Sequence, residues 1–252
     1  MPRTSVRQEP SAAALMTPRG AWADDGPAFA APLEMWLDLT LLNRTGLNQV
    51  LERYALPLEV ATYFQLRFQS PKVIAVDRAL FLVTSVVAPS PRQLFVPHEL
   101  KLCVTPTLVA GLYARVLRTQ SPIGSILSQP TDVPSGGVAR FVWKVLDGVV
   151  ASYETVATTI PNHALARKGT EDQRVWKQRV AALVEVIGQQ QVFLYNVARA
   201  GRKVGVDAQH EERVALDTRL ERLLRSIDEV RHTVSETRTC FDTVDQPMRS
   251  TP

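Results

Sequence analysis

Glu154 is the acidic residue whose sequence surroundings most suggest chemistry. It lies in the segment Val150 to Val156, which reads Val-Ala-Ser-Tyr-Glu-Thr-Val and is typical of a β-strand. A lone carboxylate on the buried face of such a strand costs free energy unless it is paired or used. We therefore treat Glu154 as a candidate functional residue. The alternative is that its strand lies at a sheet edge and the carboxylate faces solvent.

The histidines and cysteines do not show the spacing of a metal site. The dipeptide His210-Glu211 begins as the zinc motif HExxH does, but Val214 stands where the second histidine belongs. Cys103 and Cys240 are far apart, and we interpret both as free thiols in a reducing compartment. The other histidines are scattered, at His98, His163 and His232. We predict no metal site and no cofactor.

Composition restricts the class of protein. The net charge of +4 is small and spread along the 252 residues, so the sequence does not predict nucleic-acid binding. The longest mostly apolar run, Ala79 to Ala88, is about half the ~20 residues that a membrane-spanning helix needs. Residues 1–31 are rich in alanine, proline and arginine, and we predict a disordered leader there. The predicted location is cytoplasmic, with a transit peptide and the mitochondrial matrix as the alternative.

Hydrophobic spacing predicts a domain of mixed helices and strands. We expect two short helices between residues 32 and 51, broken at Asn43–Gly46, and a further helix over 107–117. Strands are predicted over 60–68, 72–76 and 79–87, the last two forming a hairpin. The Asp147-Gly148 pair predicts another hairpin over 139–160, because glycine accepts the positive φ of a two-residue turn.

The remainder of the chain is predicted to be helical. Val180, Leu183, Ile187, Leu194 and Val197 recur at the 3-4 spacing of a coiled-coil seam, with Gln190 as its polar member. After the interruption at Gly201 and Gly205 the same spacing continues. We predict that this second half binds a partner helix, or folds back as a helical hairpin, through Leu216, Leu220, Leu223, Ile227, Val230 and Val234.

The order of four stretches resembles the chorismate lyase family, whose domain is shared by the ligand-sensing part of some bacterial regulators. The stretches are Leu41 to Leu51, Phe81 to Val87, Ser121 to Leu127 and Arg140 to Pro161. The resemblance implies an α+β fold, with an antiparallel sheet and helices on one side, over residues 32–164. The helical coiled-coil region would then occupy residues 165–252.

The resemblance also implies a reaction and a set of site residues. The family eliminates pyruvate from chorismate and leaves 4-hydroxybenzoate, so the ligand would be a small aromatic carboxylate. In an active member Glu154 would be the acid/base and Lys72 would anchor a carboxylate of the substrate. The remaining ligand-binding positions would be Asn48, Thr84 and Ser85.

The helical tail decides between two functions at this stage. A chorismate lyase is complete without such a tail, and Lys72 supplies charge without the two-pronged donor pair of an arginine. We therefore predict a degenerate, non-catalytic domain that its coiled-coil tail docks into a larger protein assembly. The alternative is an active chorismate pyruvate-lyase.

Overall fold

The computed structural model describes most of the chain between residues 35 and 203. The described residues are 15–16, 35–54, 56–67, 69–76, 79–90, 92–128, 137–166 and 170–203, with 218, 221–222, 224–226, 228–233 and 235–236 further on. The predicted leader lies outside them except for residues 15–16, which form a short strand. Among the described residues, no helix is both long and apolar enough to cross a membrane.

The elements alternate between a single sheet and helices that flank it. In chain order they are β1 (Leu15–Met16), β2 (Met35–Asp38), α1 (Arg44–Arg53), α2 (Leu58–Gln65), β3 (Lys72–Val76), β4 (Ala79–Ser90), β5 (Leu94–Val104), β6 (Leu108–Tyr113), α3 (Leu117–Gln120), α4 (Gly124–Ser128), α5 (Gly137–Ala166) and α6 (Thr170–Lys203). The α+β class predicted from the sequence is confirmed.

The six strands lie in the order β1-β2-β6-β5-β4-β3. The predicted hairpin of β3 and β4 is confirmed, with Ile74 opposite Phe81. The prediction of a wholly antiparallel sheet is wrong, because β2 runs parallel to β6 and Trp36 lies opposite Val109. Such a parallel pair requires a long crossover connection, which residues 39–107 supply.

Helices pack on both faces of this sheet, so the prediction of helices on one side is wrong. Along β4, Phe81 and Val83 belong to a core shared with α1 and α2. Leu80 and Leu82 point the other way, into a larger core shared with α5 and α6. Because β4 is buried on both faces, its sequence is an almost continuous apolar run rather than an alternating one.

The segment 139–160, predicted as a β-hairpin, is instead part of the single helix α5. The reason is visible at Gly148, which is buried in the middle of that helix. A Cβ built on Gly148 would lie 2.3 Å from Cγ2 of Ile123, so glycine permits close packing there instead of a turn. Buried residues then follow helical spacing through Phe141, Val145, Val149, Tyr153, Val156 and Ile160.

Three shorter elements also differ from the sequence prediction. Residues 58–65 form α2, because Val60, Ala61 and Phe64 share one buried helical face. Residues 108–113 form β6, a strand paired on both sides, so its apolar run lacks the alternation of an exposed strand. The first of the two helices expected between 32 and 51 is β2, whereas the second is α1 as predicted.

The predicted helical tail is described in part. The seam residues of α6 are buried, and Val230 of the later segment is buried in the same core. Gln191 of α6 donates to Asp228 and accepts a hydrogen bond of 3.3 Å from Arg231. The coiled-coil seam remains a prediction, since its other members lie outside the described residues: Leu216, Leu220, Leu223, Ile227 and Val234.

Candidate functional site

A groove of about 830 Å³ opens beside the start of α1, the end of α2 and the strands β5 and β6. Its interior is apolar, and charged side chains stand around it. The apolar lining includes Leu39, Leu47 and Phe64, which are buried. The charged and titratable lining consists of Arg44, Arg67, His98, Glu99 and Lys101. This combination of an apolar interior with a few polar groups is typical of ligand sites.

The pairing of α1 with α2 brings the two arginines to one end of the groove. Asn43 caps α1 by accepting a hydrogen bond of 2.8 Å from the Gly46 amide, which fixes the helix start beside Arg44. The side chain of Gln65, at the end of α2, donates to Asn48 in α1 at 3.1 Å. The end of α2 therefore lies against the first turns of α1, and Arg67 follows directly.

A buried ion pair ties this end of α2 to the sheet. The Lys101 side chain is 4% exposed, and its ammonium lies 3.3 Å from a carboxylate oxygen of Glu99. The ammonium also donates to the backbone carbonyls of Phe64, at 3.3 Å, and Leu66. Because all three N–H groups have acceptors, the lysine can be buried while charged. Glu99 in turn accepts from the backbone amide of Gln69.

A second polar network closes the groove near the end of β6. The hydroxyl of Tyr113, which lines the groove, donates to Asp38 at 2.7 Å and accepts from Nε of Arg118 at 3.0 Å. Arg118 also pairs with Asp38. Burial, followed by the nearby Asp38 carboxylate, raises the pKa of Tyr113, so its hydroxyl stays protonated and donates.

His98 is the titratable group of the groove with a shifted pKa near neutrality. Burial lowers its pKa below the ordinary value of 6.5, so the imidazole is neutral at pH 7. A neutral imidazole offers one donor and one acceptor to a ligand. Behind the same face of the sheet, burial raises the pKa of the Cys103 thiol to about 12, which makes that thiol a poor nucleophile.

The two residues predicted to carry acid/base chemistry lie elsewhere. Glu154 is exposed on the outer side of α5, where a carboxylate needs no partner, so the argument from strand burial does not apply. Lys72 lies in β3, and its ammonium stands 5.0 Å from the centre of the Tyr63 ring. Neither residue lines the groove.

The three predicted ligand-binding positions are dispersed as well. Asn48 is exposed on α1, where it accepts the hydrogen bond from Gln65. Thr84 is buried, and its hydroxyl donates to Oε1 of Gln190 in α6 at 2.7 Å. The backbone carbonyl of Ser85 accepts a hydrogen bond of 2.7 Å from the Tyr153 hydroxyl. Thr84 and Ser85 thus hold helices on the sheet, and none of the three lines the groove.

Comparison with known proteins identifies the fold. No family model matches the chain, and a search of curated proteins gives no match. Among solved structures, the cytoplasmic domain of ZntB from Vibrio parahaemolyticus RIMD 2210633 covers 84% of this chain and 88% of its own length, with a TM-score of 0.58 and 12% identity. The fold is CorA-like. The complete CorA magnesium transporter of Methanocaldococcus jannaschii covers 83% of this chain and 67% of its own, with a TM-score of 0.64 and 12% identity. Full-length CmaX covers the same shares at a TM-score of 0.58 and 14% identity.

These neighbours show that the resemblance to the chorismate lyase family is wrong, and that the pyruvate-lyase function predicted as the alternative is wrong with it. The physical reason lies in the CorA-like helices. The stretch Arg140 to Pro161, which was matched to the last hairpin of a lyase, belongs to helix α5.

The groove residues were missed, although one of them left a signal in the sequence. Lys101 stands between Leu100 and Leu102 in an otherwise apolar strand, and both of these leucines are fully buried. The argument that singled out Glu154, an isolated charge in an apolar strand, applies with more force to Lys101. Arg44 lies in the Asn43–Gly46 break that the sequence did reveal, but nothing local indicates that Arg67 lies beside it.

Proposed function

We propose that this chain is a cytoplasmic domain of a divalent-cation transport assembly and acts there by binding other protein subunits. The observation that carries the proposal is the CorA-like fold, which extends over the sheet and both long helices. The match covers 83% of this chain in a structure described as a complete magnesium transporter. Mg²⁺ is therefore the cation with which we would test the assembly.

The outer face of α6 supports a role in protein contact. Val192 and Tyr195, which lie one helical turn apart, are 62% and 58% exposed. Paired apolar side chains on a long helix are typical of surfaces that pack against another helix. On the other side of α6, Val230 and Gln191 hold the later segment against the same chain. We propose that the tail folds back as a helical hairpin and leaves the outer face of α6 for a partner.

The test is magnesium uptake by cells that lack this protein. Deletion should slow the rise of intracellular Mg²⁺ after starved cells are returned to magnesium, and the wild-type gene should restore it. The tagged chain should sediment with the membrane fraction, because its partner subunit lies there. Unchanged uptake together with a chain that stays in the soluble fraction would refute the proposal.

Two exposed positions provide a matched comparison in the same cells. Val192→Asp with Tyr195→Asp adds charge to the α6 face without touching the core, so it should abolish membrane association while the circular dichroism spectrum is unchanged. Thr158→Asp, at an exposed position of α5, adds the same type of charge elsewhere and should have no effect. Equal loss with both variants would exclude the α6 face as the contact.

A further inference from the structure

We infer that the groove beside α1, α2 and β5 binds an organic phosphate, that is, a small molecule with an apolar body and a phosphate group. This site is separate from the α6 face, and the inference does not depend on the proposed function. It is drawn from the charges, the anchoring and the size of the groove.

The charges of the groove favour an anion. Arg44 and Arg67 bring two guanidinium groups to the same end of it, and Glu99 is committed to Lys101 and to the Gln69 amide. Within the described part of the chain, no carboxylate pairs with either arginine. A guanidinium presents parallel N–H donors that match two oxygens of a phosphate, so two of them at one end of a groove suit a phosphate group well.

The segment that presents Arg67 is held more firmly than an ordinary surface loop. The ammonium of Lys101 binds the carbonyl of Leu66, and the side-chain amide of Gln69 donates to the carbonyls of Tyr63, at 2.8 Å, and Leu66, at 3.2 Å. The Glu99 carboxylate holds the Gln69 backbone amide. Four hydrogen bonds thus fix residues 66–69 on both sides of an exposed arginine. Holding Arg67 in place lowers the entropy cost of binding a ligand.

The size and lining of the groove favour an organic ligand over inorganic phosphate. Its volume of about 830 Å³ falls within the roughly 300–1,000 Å³ typical of small-molecule sites. Leu39, Leu47 and Phe64 offer apolar surface for a ring or short chain next to the arginines. His98, neutral at pH 7, and Asn43 add polar groups that can orient such a body.

Isothermal titration calorimetry on the full chain tests this inference, with AMP and ATP as probes and EDTA present to remove divalent cations. Both nucleotides should bind at one site per chain. Arg44→Glu and Arg67→Glu should each weaken binding by about tenfold or more, because each removes a charge-assisted contact. The conservative Arg67→Lys should give an intermediate affinity, since the charge remains and the paired donors are lost.

Three controls separate this site from general charge attraction. Arg140→Glu makes the same charge change at an exposed position of α5 outside the groove and should leave the affinity unchanged. Inorganic phosphate should bind more weakly than AMP, because it does not use the apolar lining. Absence of heat with both nucleotides, equal weakening by Arg140→Glu, or tighter binding of 4-hydroxybenzoate than of AMP would each overturn the inference.

Discussion

The two faces of the central sheet differ in what their helices are built to do. On the α5–α6 face, long helices cover the sheet with a continuous apolar core that extends from Trp36 to Val230. On the α1–α2 face, two short helices cover a smaller core, and a buried ion pair and a groove lie at its margin. The same strands support both faces, since alternate residues of β4 and β5 point to each.

This difference teaches that the larger face fixes the fold and the smaller face is free to carry a binding site. Apolar burial stabilises roughly in proportion to area, so most of the stability lies with α5 and α6. Charged groups at the groove cost free energy that the larger core can offset. The predictions below test this division, from the largest expected effect to the smallest.

Phe141→Ala should destabilise the whole protein. Phe141 is fully buried on the α5–α6 face and its ring centre lies 5.2 Å from that of Trp36. Removing it should lower the free energy of unfolding by about 3–5 kcal/mol, as is usual for phenylalanine-to-alanine changes in cores. Urea denaturation followed by circular dichroism measures the loss.

Phe64→Ala provides the matched change on the other face. Phe64 is also buried, and it packs edge-on against Phe81 at 5.1 Å. Amide hydrogen exchange should rise mainly in α1 and α2 for this variant, and in every element for Phe141→Ala. The same exchange pattern in both variants would show that the two faces unfold as one unit and would break the comparison.

Thr84→Val should reveal the polar contact within the larger core. Its hydroxyl donates to Gln190, whose Nε2 has no hydrogen-bond partner within the described residues. The single change leaves Oε1 of Gln190 buried without its donor and should cost about 1–3 kcal/mol. The double variant Thr84→Val with Gln190→Leu removes both polar groups and should recover most of that loss. A double variant less stable than either single one would contradict this account.

Two glycines of the long helices should respond in opposite directions to the same change. Gly148→Ala forces a methyl group against Ile123 and should destabilise by about 1–2 kcal/mol, since overpacking outweighs the gain in helix propensity. No heavy atom lies within 4 Å of a Cβ built on Gly188, so Gly188→Ala should stabilise by about 0.5–1 kcal/mol. Thermal unfolding of both variants checks the signs, and equal shifts would refute the packing role of Gly148.

The same glycines show how far the sequence predicts the fold. The β3–β4 hairpin and the helical spacing in α6 could be predicted because their periodicity is local. Helix α5 could not be, because the Asp147-Gly148 pair and the many β-branched residues favour a hairpin locally, whereas contact with the sheet and with Ile123 requires a helix. Tertiary contacts decided that segment, and one wrong hairpin then supported a wrong family.

The groove was beyond prediction for a related reason. Its charged residues come from three separate elements, with Arg44 before α1, Arg67 after α2 and Lys101 in β5. Only the pairing of α1 with α2 and the position of both beside β5 bring them together. Sequence could have marked Lys101 as an unusual buried charge, but it could not have named the carbonyls of Phe64 and Leu66 as its acceptors.

The smallest expected effect is a pH dependence that belongs to the groove face. Burial lowers the pKa of His98 below 6.5, so between 6.5 and the lower folded-state value the unfolded chain binds more protons than the folded chain. Stability should therefore be complete above pH 6.5 and fall as the pH drops toward the folded-state pKa. On the opposite face, burial raises the pKa of Tyr153, whose hydroxyl stays protonated over this range. His98→Gln should remove the part of the slope between pH 6.5 and 5 that the imidazole contributes, measured as the difference between two series of urea denaturation curves. Because Glu99 and Lys101 line the same groove, an unchanged slope in the variant would assign the pH dependence to other groups and would remove His98 from this account.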